Sequence, residues 1–185
     1  MNTLISRLRS RPVPSLIGVV ALVLAVGFGV TALVWKGSDT VATREVVNTA
    51  GGYRFEAPDG WVTTQEGRTT TVTSPDNSTV ITVGLSRPGS LPVAATLFFQ
   101  QVAGKYRDVK VIPPQGKHVG PLQALIYGGN GTNAKNTRVR FLAITIKNDP
   151  TNYGITVFTA AESDPKTVLP QVNRVVDTFR ALPPR

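Results

Sequence analysis

A single imidazole, His118, is all that the chain offers for acid–base chemistry near neutral pH, and cysteine is absent. His118 stands between Lys117 and Val119 in a Gly- and Pro-rich stretch, the setting of an exposed loop residue rather than of a general base. No Gly-x-Ser-x-Gly elbow presents a nucleophilic serine. Gly128-Gly129-Asn130-Gly131 lacks the Gly-Lys-Ser/Thr end of a phosphate-cradling loop. It reads instead as a hairpin connection, because Gly and Asn tolerate left-handed backbone angles. Glu56, Asp59 and Glu66 gather around one turn, as local acidic residues commonly do. Disulfide frameworks, thiolate catalysis, zinc sites built on Cys or several His, and attachment through an acylated cysteine are all excluded by composition. A metal site made only of carboxylates stays open, although the 11 acidic residues are scattered. The expectation is a chain that is not an enzyme, with no catalytic residue, no cofactor and no metal.

Charge is the stronger signal. The formal net charge is +9, of which Arg7, Arg9 and Arg11 contribute three. The rest is spread along residues 36–185, with two close groups: Lys105, Arg107 and Lys110 around Tyr106, and Lys135, Arg138 and Arg140. These six form the candidate interaction surface. Such an exterior suits anionic lipid headgroups, acidic envelope polymers or an acidic protein face, and solubility is the simplest account of it.

Behind these residues lies a chain of several parts. Leu16–Trp35 is an uncharged run of twenty residues, which as a helix spans about 30 Å, one hydrocarbon core. It is apolar all round, unlike a core helix with a polar face, and Trp35 suits an interfacial anchor. The run is too long for the apolar core of a cleaved signal peptide, and Trp35-Lys36-Gly37 is no cleavage site. Arg7, Arg9 and Arg11 precede the span with no acidic residue among them, so the N-terminus is expected in the cytoplasm and the remainder outside. That side of the membrane disfavours nucleic acid as a partner. The expected organisation is a basic cytoplasmic terminus (1–15), a transmembrane helix (16–35), a small-polar linker (36–50) and an extracytoplasmic domain (51–185).

Within the domain, Tyr53, Phe55 and Ala57 alternate with Arg54 and Glu56 at strand spacing. Pro58-Asp59-Gly60 and Ser74-Pro75-Asp76-Asn77 are turns, separated by the β-branched run Thr69–Thr73 and followed by a strand over Thr79–Ser86. Ser90 is placed to cap a helix running to about Tyr106, with Leu91, Ala94, Ala95, Phe98, Val102 and Tyr106 on its apolar face. A short strand, Val109–Ile112, should stop at Pro113-Pro114. Longer strands over Leu122–Tyr127, Arg138–Ile146 and Tyr153–Ala160 suit an antiparallel meander. A last helix, capped by Ser163 or Asp164, carries Val168, Val172, Val175, Val176 and Phe179, with Pro170 expected to loosen its start. Several strands are apolar on both faces, which a sheet with one wet face would not be. The expected class is α+β, a three-layer α/β/α sandwich of one mainly antiparallel sheet between two helices.

This order of elements resembles the Mog1/PsbP-like fold over roughly residues 50–182. The segment Gly52-Tyr53-Arg54-Phe55-Glu56-Ala57-Pro58-Asp59-Gly60-Trp61 is similar to the opening hairpin of that group, an aromatic strand followed by Pro-x-Gly-Trp. With the apolar N-terminal segment, the chain is most similar to the extracytoplasmic LpqN-type proteins of actinobacteria, but it lacks the cysteine of the lipoprotein members. The resemblance implies non-enzymatic docking or assembly work and carries no contact residue over to this chain. Tyr53, Phe55 and Trp61 read as packing and turn residues.

Three functions follow in order. The first is a membrane-anchored binding or assembly module, an accessory factor or subunit of a cell-envelope or respiratory membrane complex. The second is a carrier or sensor holding a lipid or glycan between helix and sheet. A hydrolase using His118 ranks last.

Overall fold

The computed structural model describes residues 42–183. The basic terminus 1–15 and the transmembrane span 16–35 lie outside them. Among the described residues no helix is long and apolar enough to cross a membrane.

The alternation at Tyr53–Ala57 becomes strand β2 (Tyr53–Pro58), with Tyr53, Phe55 and Ala57 buried and Arg54 exposed. It pairs antiparallel with β1 (Thr43–Asn48) and with the short β10 (Arg180–Ala181), in the order β1-β2-β10. Residues 43–48, read from sequence as part of the linker, are therefore structured. Val46 and Asn48 are buried, and the β-branched Thr43, Val46 and Val47 suit a strand.

The Pro58-Asp59-Gly60 turn, with Gly60 at φ +78°, carries the chain out of this sheet and into a larger one. That second sheet holds β3 (Val62–Glu66), β4 (Thr69–Thr73), β5 (Thr79–Pro88), β6 (Arg107–Val119), β7 (Leu122–Thr132), β8 (Arg138–Ile146) and β9 (Thr151–Ala160). Its order is β3-β4-β5-β9-β8-β7-β6, with every neighbouring pair antiparallel. The expected three-strand meander, β7 to β9, is present, and β6 extends it. The expectation of a single sheet is corrected to two. Alternation in β2 marks one buried face but does not say which strands flank it.

Helix α1 (Leu91–Ala103) covers one face of the seven-stranded sheet, its Phe99 and Val102 packed on Phe141 and Ala143. Ser90 takes the N-cap position with extended backbone but makes no side-chain capping bond. Helix α2 (Pro165–Asp177) is capped by Asp164, whose side chain accepts from the Lys166 N–H at 3.0 Å. It runs through Pro170 without a break, since a proline near the start of a helix removes only one ladder bond. Its Val172, Val175 and Val176 are buried, as is Phe179 beyond its end.

Side-chain parity separates the layers. Gly154 faces α1, where an added Cβ would lie 2.8 Å from the Phe98 ring. The next residue back, Tyr153, points the other way and meets Tyr53 and Phe179 at ring-centre distances of 5.9 and 5.1 Å. The third layer thus combines α2 with the three-stranded sheet. Its seam is polar as well as aromatic: the fully buried Tyr53 donates to the Val83 carbonyl at 2.8 Å and lies 2.9 Å from Thr70 Oγ1. Asn48 donates to the Gly67 carbonyl at 3.2 Å and to Thr70 Oγ1 at 3.1 Å.

Glu56 ties the same layer together, accepting from Thr43 Oγ1 at 2.7 Å and from Arg174 Nε at 2.8 Å. The Thr43 hydrogen bond holds this carboxyl below its usual range; partial burial opposes that, and Arg174 adds to it. A depressed carboxyl pKa stabilises the fold above the unfolded value, about 4.3, and the stabilisation is lost as pH falls through the folded value. Glu56→Gln should therefore cost about 1 kcal/mol at pH 7, a small figure because the pair is partly exposed. Denaturant melts should show the gap between variant and wild type closing below about pH 4.

Candidate functional site

Cross-strand register gathers the basic residues that are far apart in sequence. Arg107 on β6, Thr132 on β7 and Arg138 on β8 are paired in one row. Lys110, Asn130 and Arg140 form the next. Directly paired residues, and those two apart on a strand, share a face. All four cations therefore stand on the face opposite α1, at the same end of the sheet. Two strand spacings, about 10 Å, separate Lys110 from Arg140. This is near the screening length at physiological salt, so the charges act as a common field rather than as pairs.

The other two members flank this end. Lys135 lies in the turn between β7 and β8, where Asn133 accepts from the backbone N–H groups of Lys135 and Thr137, each at 2.9 Å. Lys105 lies in the connection from α1 to β6. Lys105, Arg107, Lys110, Lys135 and Arg138 are exposed, and among the described residues none of these five is in an ion pair. Arg107 donates to Asn136 Oδ1. Arg140 is more enclosed, and its guanidinium donates to the backbone carbonyls of Ala160, at 3.3 Å, and Ser163, fixing it beside the start of α2. Asp108, at φ +52° in the bulge between Arg107 and Lys110, is the one acidic residue in that stretch of β6.

Two sequence readings change here. Strand β6 continues through Pro113 and Pro114 with a register shift between Ile112 and Gln115. It is an edge strand, so one of the two missing N–H groups falls on the outer side and costs no ladder bond, and the register shift takes up the other. Gly128-Gly129-Asn130-Gly131 is strand rather than hairpin, and the turn falls at Asn133–Asn136. The glycines serve close approach: a Cβ on Gly129 would sit 2.7 Å from Phe141 Cζ and 3.1 Å from the Lys110 carbonyl. Gly129→Ala should destabilise by about 1–3 kcal/mol through overpacking, measurable by urea titration, whereas a hairpin glycine would show little change.

His118 is exposed, but it lies on β6 opposite Gln123 rather than in a loop. Its neighbour Lys117 points to the other side and bonds Asp177 at the end of α2 at 2.5 Å. Burial pulls the Lys117 ammonium down, and Asp177 opposes the shift. The contact is a structural clamp between edge strand and helix. Among the described residues, no group of three His, Asp or Glu side chains is placed to hold a metal ion.

A separate concavity of about 390 Å³ opens between the start of α2 and the turns at either side of β3 and β4. Trp61, Thr79 and Gln171 are among its walls. Trp61, read as a packing and turn residue, is buried at 6% exposure. Nothing in the spacing of Thr79 and Gln171 announced that they would meet.

Two sheets, an antiparallel order and one helix on each side match the Mog1/PsbP-like fold that the order of elements suggested, whereas the segment read as its opening hairpin is not one, because β2 pairs with β1 and β10 and β3 belongs to the other sheet. Among solved structures, the chain is similar to cyanobacterial PsbP (CyanoP) of Synechocystis sp. PCC 6803, at 16% identity and a TM-score of 0.57, covering 79% of this chain and 96% of that one. It is similar to the Ran-binding protein Mog1p of Saccharomyces cerevisiae at 11% identity and a TM-score of 0.57, covering 77% and 97%. LpqN of Mycobacterium tuberculosis, a protein involved in cell envelope biogenesis, matches at 12% identity and a TM-score of 0.55, covering 78% and 93%. No family model and no curated protein matches the sequence. At these identities the likeness is one of fold.

Proposed function

We propose that the chain is a membrane-anchored, extracytoplasmic binding or assembly module, an accessory factor or subunit of a cell-envelope or respiratory membrane complex. In this reading residues 16–35 cross the bilayer, the N-terminus is cytoplasmic, and the domain docks an anionic partner through the end of the sheet built by β6, β7 and β8. The observation that carries it is the pair of register rows, Arg107–Thr132–Arg138 and Lys110–Asn130–Arg140, which collect cations from three strands on one face. The fold also lends support: Mog1p is a Ran-binding protein and LpqN is involved in envelope biogenesis. A tether would confine the domain near the membrane and raise its effective concentration for a membrane-bound partner.

Gentle detergent extraction after chemical crosslinking, with the chain at native expression, tests this reading. A discrete set of membrane or envelope proteins should be recovered with it. A chain recovered alone would count against the proposal.

A further inference from the structure

The two edges of the seven-stranded sheet are treated differently. β3 lies against β1: Arg44 donates to the Trp61 carbonyl at 2.7 Å and to Thr63 Oγ1 at 2.6 Å, and Gln65 donates to the Val47 carbonyl at 3.1 Å. At the opposite edge, among the described residues, no strand lies beyond β6.

The register of β7 decides which backbone groups β6 presents there. The Gln123 carbonyl accepts from the Lys147 N–H at 2.7 Å, and the Asn133 N–H donates to the Thr137 carbonyl at 3.0 Å. Both bonds run toward β8. The β7–β8 register is unbroken between them, so every second residue of β7, Gly129 included, turns its backbone groups toward β8. Val111 is paired with Gly129 on the other side. That pair is not hydrogen-bonded, and the N–H and C=O of Val111 point to the open edge.

Side chains around this point divide by face. Val111 stands in the row of Gly129 and Phe141, on the α1 face, and is 52% exposed. Lys110 stands on the other face with Arg107, Arg138 and Arg140. The stretch is short, bounded by the bulge at Asp108 and by Pro113-Pro114.

We infer, resting on the docking through the basic rows, that the anionic partner is an extended acidic segment that adds a strand to β6 at Val111. Its backbone bonds the Val111 N–H and C=O, a carboxylate meets Lys110, and an apolar side chain covers Val111. Main-chain bonds at a sheet edge supply affinity and alternate side chains supply specificity. A second copy of this chain does not fit, because two β6 edges would bring Arg107 and Lys110 of both to one seam, and like charges across strands repel. A lysine on an edge strand guards against such self-pairing; a carboxylate turns the same charge into attraction.

Carbodiimide coupling in isolated membranes joins a lysine amine to a carboxylate in direct contact, with no spacer. On the full-length chain, Lys110 should couple to Asp or Glu of a partner segment in which acidic and apolar residues alternate. Val111→Pro removes the edge N–H, costs no ladder bond and keeps every charge, so the coupling yield should fall about tenfold or more. Val111→Ala keeps the N–H and should retain most of the yield. Both purified variants should melt within about 2 °C of the parent. In the coupled complex the Val111 amide should exchange about tenfold or more slowly than in the free chain, a readout that needs no variant. The inference is overturned if Lys110 couples to no partner carboxylate or only to a second copy, if Val111→Pro couples like the parent, or if the Val111 amide exchanges equally fast in both states. Coupling that ignores Val111→Pro would remove the added strand and leave docking by charge, whereas failure to recover any partner would remove the docking itself.

Discussion

Tyr53→Ala is expected to destabilise the domain by about 3–5 kcal/mol, the range for removing a buried aromatic ring. The ring is the centre of the seam between the two sheets. It lies within 5.8–6.2 Å, centre to centre, of Phe55, Tyr153 and Phe179, which come from β2, β9 and the segment after α2. Tyr53→Phe separates ring from hydroxyl. It keeps the packing but takes the phenol from the Val83 carbonyl and leaves Thr70 Oγ1 with Asn48 alone, at a cost of about 1–3 kcal/mol. Burial also pushes the Tyr53 phenol above its ordinary value, so it stays protonated and able to donate in the neutral range. Urea unfolding of the three proteins should give the order wild type, Tyr53→Phe, Tyr53→Ala. Equal stability of all three would mean that the small sheet is not held through this residue.

Reversing two charges on the rows, Lys110→Glu with Arg138→Glu, should lower partner recovery after crosslinking at least tenfold, because like-charge juxtaposition at an interface costs several kcal/mol. Both side chains are exposed and outside any ion pair among the described residues. The folded domain should therefore change by less than about 0.5 kcal/mol. Binding by the parent should weaken as salt rises, and the gap between parent and variant should narrow. Unchanged recovery would leave the basic excess as a solubility feature.

Strand alternation made β2 and its buried aromatics legible, and helical spacing did the same for Val172, Val175 and Val176. The same signals failed where partners decide the outcome. Gly129 reads as a turn residue from its type, yet its environment is the ring of Phe141. Pro113 reads as a stop, yet an edge position tolerates it. Thr43–Asn48 reads as linker because only two of its residues are buried. As for the site, the six basic residues were visible as two sequence clusters, but the meeting of Arg107, Lys110, Arg138 and Arg140 on one face, with Lys105 and Lys135 flanking it, depends on β6, β7 and β8 being neighbours in register. The cleft was less visible still. Trp61, Thr79 and Gln171 lie on separate elements, and no local pattern records that the start of α2 covers the turn before β5.

Docking through the basic end of the sheet is tested most directly by a photoreactive amino acid placed at position 110, with position 66 on β3, at the far edge of the same sheet, as control. Irradiation of intact cells should give a defined adduct at position 110 and none at position 66. Adducts of equal yield at both positions, or none at position 110, would contradict the account.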